Sequence, residues 1–218
     1  MLTKPAMTLA AMADMAVIPL AQKKKKDEKP LVIPERYSLI AADLSLKRPG
    51  FCMLNVEQNN GVAKITDIYT YSVDNKTKTK PRGQLLQEIA EEFKWILDNA
   101  DYDIFLVREQ SVNNCGGGSA RSGTAARTGI SGVVGVMDLL AWDNGKLNWE
   151  EFYPVSIKKM LTGNGKAEKS EVAAVLPAYL GEHTYKNDDE SDAAAVAVAW
   201  LIHHNQIKQI IQEDTPSE

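Results

Sequence analysis

The sequence predicts one mixed α/β domain, and three observations carry this prediction. Two β-rich segments meet at Asn60-Gly61, a dipeptide that strongly favours a tight hairpin turn. Between the apolar runs at 61–73 and 103–109, apolar residues from Leu85 to Leu97 recur at helical spacing, as in a helix that connects two strands. Near the carboxyl end, an Ala- and Val-rich run predicts a buried helix. The predicted order, β-β-β-α-β-α-β-α-α, indicates a single domain of this class.

The individual elements are predicted from apolar periodicity and turn signals. YSLIAAD (37–43) is a compact apolar run that ends in an acid, which is typical of a buried strand. The other predicted strands cover 50–58, 61–73, 103–109 and 150–156. The predicted helices are one that contains Leu85, Leu86, Ile89, Phe93, Ile96 and Leu97, a second at 130–142, a third at 167–180, and a last from near Asp189 to about Gln212. Loops are predicted at 74–83 and at 113–129, a segment rich in Gly, Ser and Asn.

Length and composition limit the class of protein. The chain has 218 residues, which suffice for one domain with a full core and a tail. A net charge of -4 argues against a protein coated in positive charge but allows a local basic groove. No apolar stretch is long enough to span a bilayer. The two cysteines lack pairing or metal-ligand spacing, which indicates a reducing compartment, the cytoplasm, or the host cytoplasm for a phage protein.

The ends of the chain are predicted to lie outside the domain. Residues 1–36 are interpreted as a flexible N-terminal extension, 37–212 as the domain, and 213–218 as a tail. The extension contains the basic run Lys23, Lys24, Lys25 and Lys26. Its alternative roles are a basic arm on DNA phosphates and a short partner-binding helix.

Acidic residues fall where the predicted strands end. Asp43 ends the first strand and Glu109 the fourth, and the two acids emerge together if these strands are parallel neighbours. Asp189 and Asp192 are three apart and share one face of the last helix. Such a cluster repels itself unless cations neutralise it, and hard oxygen ligands favour Mg²⁺ or Mn²⁺. Two such ions about 4 Å apart form a common arrangement for phosphodiester hydrolysis. Taken singly, each acid could instead be a helix cap or a solvated charge.

Four blocks of the sequence together resemble the RuvC-type Holliday-junction resolvases of the RNase H-like nuclease superfamily. They are IAADLSLKRPGF (40–51), FLVREQSVNN (105–114), VSIKKMLTGNGKAEKSEV (155–172) and DDESDAAAVAVAWLIHH (188–204). The third block is the most specific, and similarity elsewhere is low, which indicates a divergent, phage-type member. The resemblance implies an RNase H-like fold, with a five-stranded mixed sheet flanked by helices. It also implies a homodimer that binds four-way DNA junctions and nicks two strands symmetrically.

The resemblance also implies roles for individual residues. Asp43, Glu109, Asp189 and Asp192 match the metal-binding acids, although Asp188 is an alternative to Asp189. With two Mg²⁺ ions per site, Asp43 would bridge the metals and Glu109 and Asp192 would complete their coordination. Mn²⁺ would substitute for Mg²⁺. Lys169 would hold the phosphate, and the products would carry 5′-phosphate and 3′-hydroxyl ends.

Basic residues around the third block are predicted to bind DNA. Lys158 and Lys169 match family lysines, and Lys159 and Lys166 lie beside them in the same block. Arg121 and Arg127 come from the predicted glycine-rich loop. GNGKAEKS is not a phosphate-binding P-loop, because Glu168 stands where that motif needs Gly, and no nucleotide cofactor is expected. Val112 stands where the family often has an aromatic residue, which allows looser selectivity for branched DNA.

Three alternatives and two minor predictions remain. The chain could be a broader branched-DNA nuclease, a nuclease of RNA–DNA hybrids, or a non-catalytic module that binds branched DNA. The helix at 130–142 is too apolar for a solvent face and is assigned to the core and a dimer interface. His203 and His204 lie far from the acids in the last helix and are interpreted as surface or packing residues rather than ligands.

Overall fold

The computed structural model describes residues 31–45, 48–59, 62–73, 80–110, 120–145 and 147–210, and only the backbone of 120–129. The described residues from Ile33 onward belong to one compact unit. The strands are β1 (Arg36–Asp43), β2 (Gly50–Asn59), β3 (Val62–Ser72), β4 (Asp103–Glu109) and β5 (Trp149–Phe152). The helices are α1 (Arg82–Asp98), α2 (Ala120–Asp143), α3 (Pro154–Thr162), α4 (Lys169–Leu180) and α5 (Asp188–His203).

The strands form one five-stranded mixed sheet in the order β3-β2-β1-β4-β5. Neighbours among β1, β2 and β3 are antiparallel, whereas β4 is parallel to both β1 and β5. The predicted meander is therefore confirmed, and the first and fourth strands are parallel neighbours, which is the condition for Asp43 and Glu109 to emerge together. The Asn60-Gly61 turn lies outside the described residues.

Helices cover both faces of the sheet, which explains why β1 is apolar at successive positions rather than at alternate ones. Leu39 and Ala41 pack on one face with residues of α3, α4 and α5. Ile40 and Ala42 point to the other face and pack with residues of α1 and α2. The predicted mixed α/β architecture with flanking helices is confirmed.

The start of α5 lies very close to the sheet. Residues 193–201 of this helix are all buried, and most of them are Ala or Val, so the helix approaches β1 and β2 closely. The backbone of α5 approaches the sheet closely at Gly50, the partner of Asp43 in the β1–β2 ladder. A Cβ atom on Gly50 would overlap the backbone carbonyl of Asp189. The first turn of α5 therefore requires glycine at this strand position.

The boundaries of two central elements differ from the prediction. The segment 113–129 was predicted as a loop, but α2 begins at Ala120 and continues through Arg121 and Arg127. Alanine and arginine favour helix, and isolated glycines cost only about 1 kcal/mol each, so the glycines were weighted too strongly. The predicted strand 150–156 ends at Phe152, because Pro154 opens α3, a helix that was not predicted. Proline suits the first helical position, where its fixed φ angle is already helical.

The last helix ends earlier than predicted, at His203 rather than near Gln212. Asn205 adopts a left-handed conformation with φ of 56°. The N–H of Gln206 then donates to the carbonyl of Leu201 at 2.8 Å, which closes the helix end. Among the described residues, no helix has the length and apolar character needed to cross a membrane.

We expect Gly50→Ala to lower the free energy of unfolding by about 1–3 kcal/mol, because the added methyl group would push against the backbone of α5. Urea unfolding measures the change. Gly83→Ala is the matched control, since Gly83 lies in α1 with open space around its missing Cβ. A Gly50→Ala protein as stable as the Gly83→Ala protein would contradict the close approach.

Candidate active site

A cavity of about 210 Å³ lies at the carboxyl ends of β1 and β4, beside α3, α4 and α5. We call it the acid-lined cavity. Its charged lining consists of Asp43, Glu109, Asp192, Lys158 and Lys169. The remaining wall is apolar and consists of Pro154, Ile157, Val172 and Ala195. An apolar wall lowers the local dielectric constant, so the charges interact more strongly than in water.

Asp43 and Glu109 are brought together by the parallel pairing of β1 and β4. The register pairs Ala42 with Arg108, so the following residues leave adjacent strands at the same level. Burial, and then repulsion by Asp192, raises the pKa of Asp43 to about 6. Burial, and then repulsion by Asp43 and Asp192, raises the pKa of Glu109 to about 7. The carboxyl groups are therefore close enough to oppose one another's ionisation.

Asp192 and Lys169 complete this cluster from two helices. Lys169 is the first residue of α4, where Glu168 and Glu171 form a capping box that defines the helix start. The Lys169 ammonium donates a hydrogen bond to the Asp192 carboxylate. This hydrogen bond raises the pKa of Lys169 above its ordinary value. Lys169 is therefore a fixed positive charge at neutral pH.

Asp189 lies at the edge of the cluster rather than in the cavity wall. Its carboxylate is 3.3 Å from Nε of Arg48. Burial raises the pKa of Asp189, and the positive charge of Arg48 offsets part of that rise. Asp189 in turn contributes to the raised pKa of Asp43, whereas Asp188 is exposed. Of these two adjacent acids, Asp189 is the one electrostatically coupled to Asp43.

Glu190 anchors the start of α5, a role that the sequence prediction missed. This residue is buried, and its carboxylate accepts hydrogen bonds at 3.1 Å from the hydroxyl groups of Thr70 and Ser72 on β3. It also accepts one at 2.9 Å from the backbone N–H of Lys186. Asn187 caps the same turn by accepting from the N–H of Glu190 at 3.2 Å. The turn that carries Asp189 and Asp192 is thereby attached to the edge strand.

The sequence contains a signal for Glu190. Positions 190, 193, 194 and 197 follow the spacing of one helical face, and the last three are buried alanines. An acid in register with buried alanines indicates a buried carboxylate with specific partners. Arg48, which pairs with Asp189, was missed as well, and no local pattern marks it.

The predicted DNA-binding residues divide into three groups. Lys158 and Lys169 line the acid-lined cavity. Lys159 and Lys166 are exposed beside it, on α3 and on the loop that leads to α4. The backbone of Arg121 and Arg127 lies in the first part of α2, and their side chains lie outside the described structure. Val112 lies outside the described residues altogether.

The acid-lined cavity suits a hard divalent cation by its chemistry and charge. Its donors are carboxylate oxygens, and their mutual repulsion would be relieved by added positive charge. The acids are not drawn together as tightly as ligands around one ion. Among the described residues, the set of three or more potential ligands whose atoms lie within 4.8 Å of one another is a different one, Glu150, His203 and His204. In this structure, Lys169 supplies the positive charge beside Asp192.

Comparison with known families identifies the family of this chain. A family model described as "Crossover junction endodeoxyribonuclease RuvC" matches residues 43–200, a span that contains all the predicted acids. The chain belongs to the RuvC family. The match confirms the resemblance found in the four sequence blocks, and it assigns the protein to a family of enzymes.

Curated RuvC proteins align along most of the domain. The crossover junction endodeoxyribonuclease RuvC of Ehrlichia ruminantium (strain Gardel) is 29% identical over 164 residues, covering 75% of this chain and 96% of the relative. The RuvC of Rickettsia bellii (strain OSU 85-389) is 34% identical over 100 residues, covering 45% of this chain and 58% of the relative.

Solved RuvC structures share the fold. Thermus thermophilus RuvC superposes with a TM-score of 0.59 at 17% identity, covering 78% of this chain and 97% of that one. The same protein in complex with a Holliday junction substrate gives a TM-score of 0.60 at 17% identity, covering 75% and 92%. The predicted RNase H-like fold is therefore confirmed for this RuvC-family chain.

We expect Asp43→Asn to raise the free energy of unfolding of the metal-free protein above that of the wild type. This gain should be larger at pH 8 than at pH 4, by up to about 3 kcal/mol. The folded-state pKa of Asp43 lies above its ordinary value of 3.8, so its contribution to stability is greatest below that pH. This contribution is lost as the pH rises through about 6, and the substitution removes the loss. Urea unfolding at both pH values, with chelator present, measures the difference.

Asp188→Asn is the control for this experiment, because Asp188 is an exposed neighbouring acid. Its gain in stability between pH 4 and pH 8 should be smaller than that of Asp43→Asn, because Asp188 does not line the acid-lined cavity. An Asp43→Asn protein with no greater gain at pH 8 than this control would contradict the charge repulsion in the acid-lined cavity.

Proposed function

We propose that this RuvC-family chain is a Mg²⁺-dependent, structure-selective DNA endonuclease that resolves four-way junctions by paired symmetric nicks. The observation that carries the proposal is the acid-lined cavity, where Asp43, Glu109 and Asp192 meet Lys158 and Lys169. Carboxylates suit a metal and ammonium groups suit a phosphate, so the cavity offers partners for both. Solved RuvC from Thermus thermophilus, which shares the fold, is described in complex with a Holliday junction substrate.

Four acids would hold the metal. Asp43 and Asp192 both oppose the ionisation of Glu109, and Asp43 is itself coupled to Asp192 and Asp189, so the four acids form one electrostatic set. Asp43 would be the shared ligand, as the family resemblance implies, with Glu109 and Asp192 completing the set and Asp189 assisting. Bound Mg²⁺ would lower the pKa of attacking water and neutralise phosphate charge, and Mn²⁺ has similar preferences.

The two lysines of the cavity would bind the phosphate and stabilise its negative charge. Lys169 keeps its proton because its pKa is raised, so it serves as a charge-stabilising group and not as a base at neutral pH. Lys158 sits in the same wall and lowers the pKa of Glu109, which helps that acid remain ionised. In-line attack by water on the phosphorus, with departure of the 3′ oxygen, would leave 5′-phosphate and 3′-hydroxyl ends.

Paired nicking requires two cavities, and therefore a homodimer. The exposed face of α2 supports this, since Leu139 is 61% and Trp142 is 52% exposed. Val133, Met137 and Ala141 of the same helix are buried in the core, as the sequence prediction for this helix expects. Lys159 and Lys166 would extend the phosphate contacts beyond each cavity. The protein would act in the cytoplasm, where its DNA substrate is found.

We expect the wild type to nick a labelled synthetic four-way junction at symmetric positions with Mg²⁺ and not with chelator. Asp192→Asn should slow nicking by about 10²–10³-fold, because it removes a charged group from the reacting centre. Asp188→Asn is the matched control, an exposed acid one turn away, and should nick at the wild-type rate. Linear duplex and an RNA–DNA hybrid serve as the comparison substrates.

Different outcomes separate the alternatives. Preferential cleavage of the RNA–DNA hybrid would replace the proposal with a hybrid nuclease, and equal cleavage of flaps and junctions would broaden it to branched DNA. Tight junction binding without cleavage under any divalent metal would indicate a binding module. Equal activity of Asp192→Asn and Asp188→Asn would contradict the assigned site.

A further inference from the structure

A second cluster of potential metal ligands lies away from the acid-lined cavity. Glu150 belongs to the edge strand β5, His203 is the last residue of α5, and His204 is its C-cap. Asp192 and His203 lie about 17 Å apart along the helix axis, at a rise of about 1.5 Å per residue. The cluster therefore serves no role in the chemistry of the acid-lined cavity.

The three side chains converge on one point. One ligand atom of each lies within 4.8 Å of the others. Nε2 of His204 is 2.9 Å from Oε2 of Glu150, and Nε2 of His203 is 3.9 Å from Oε1 of the same carboxylate. Adjacent residues of a continuous helix diverge by about 100°. Both rings nevertheless reach Glu150, each at a different oxygen of its carboxylate.

A rigid aromatic layer holds these ligands in place. Nε1 of Trp200 donates a hydrogen bond to Oε2 of Glu150 at 2.8 Å, and Trp200 is buried. The His204 ring lies 4.3 Å from the Trp200 ring, and the His203 ring meets Phe152 edge-on at 5.1 Å. Outer contacts of this kind orient metal ligands and limit the entropy that binding must remove.

We propose that Glu150, His203 and His204 form a binding site for a zinc-type divalent cation. Two imidazole nitrogens and one carboxylate oxygen suit Zn²⁺, whereas Mg²⁺ favours an all-oxygen set. Three protein ligands leave a fourth position for water, and the half-exposed His203 gives the ion a path from solvent. On binding, His204 exchanges its contact with Glu150 for the metal, and its ring carries the proton on Nδ1.

The bound ion would join the edge strand β5 to the end of α5. In this structure Glu150 is the common hydrogen-bond partner of His204 and of Trp200, which is not itself a ligand. An ion that binds only the folded state stabilises it by mass action. The proposed site is therefore a structural metal site that stabilises the fold and takes no part in the nicking reaction.

The test titrates Zn²⁺ into the full-length, untagged chain by calorimetry, and it records the visible spectrum with Co²⁺ as a probe. We expect one high-affinity Zn²⁺ per chain, a rise in Tm, and the absorption of four-coordinate Co²⁺. His203→Ala should weaken Zn²⁺ binding by more than about tenfold, and Glu150→Gln should do the same. His203 is half exposed, so its truncation leaves the fold intact.

Two matched variants make the result specific. His183 is the remaining histidine of the chain, and His183→Ala should bind Zn²⁺ as the wild type does. Asp192→Asn alters the acid-lined cavity and should also leave the high-affinity binding unchanged. The proposal is overturned if no Zn²⁺ binds, if His203→Ala and Glu150→Gln bind it like the wild type, or if Asp192→Asn alone abolishes binding.

Discussion

The first turn of α5 rests on a strand position that has no side chain, and the rest of the site depends on this contact. Gly50 pairs with Asp43 across the β1–β2 ladder, and the backbone of Asp189 occupies the space that a Cβ on Gly50 would need. The turn is attached to β3 as well, through the buried carboxylate of Glu190. These contacts bring Asp192 beside Asp43, and burial together with like charge then raises the pKa of Asp43.

The clustered acids destabilise the folded protein because they repel one another, although the proposed function needs them together. A protein without catalytic need for these acids would gain stability by separating them, since each resists ionisation in the presence of the others. The fold instead concentrates them at a sheet edge and partly offsets the repulsion with Lys169 and Arg48. Lys169 also lines the acid-lined cavity, so its charge is available to the phosphate of the proposed substrate. A cluster that is costly in isolation is therefore poised to take up divalent cations, which is the basis of the proposed nuclease activity.

The sequence predicted the parts of the site that depend on strands and missed those that depend on tertiary contact. Asp43 and Glu109 could be placed because strand ends are visible in apolar runs, and parallel pairing brings those ends together. Gly50 could not, because its significance comes from a helix more than a hundred residues away in sequence. The start of α3 at Pro154 was missed for a different reason, since the β-rich segment before it hid a proline signal that was present. The end of α5 depends on the backbone conformation of Asn205, which periodicity does not report.

The most direct test of this account measures junction nicking by Glu190→Gln, a variant outside the acid-lined cavity. The anchoring of α5 predicts a rate at least about tenfold below that of the wild type, as for other groups that orient ligands, at a temperature where both proteins are folded. Glu92→Gln is the matched control, because Glu92 also accepts a hydroxyl from β3, that of Tyr69 at 3.1 Å, but lies on α1. Wild-type nicking by Glu190→Gln would show that the acids are positioned without this anchor and would contradict the account.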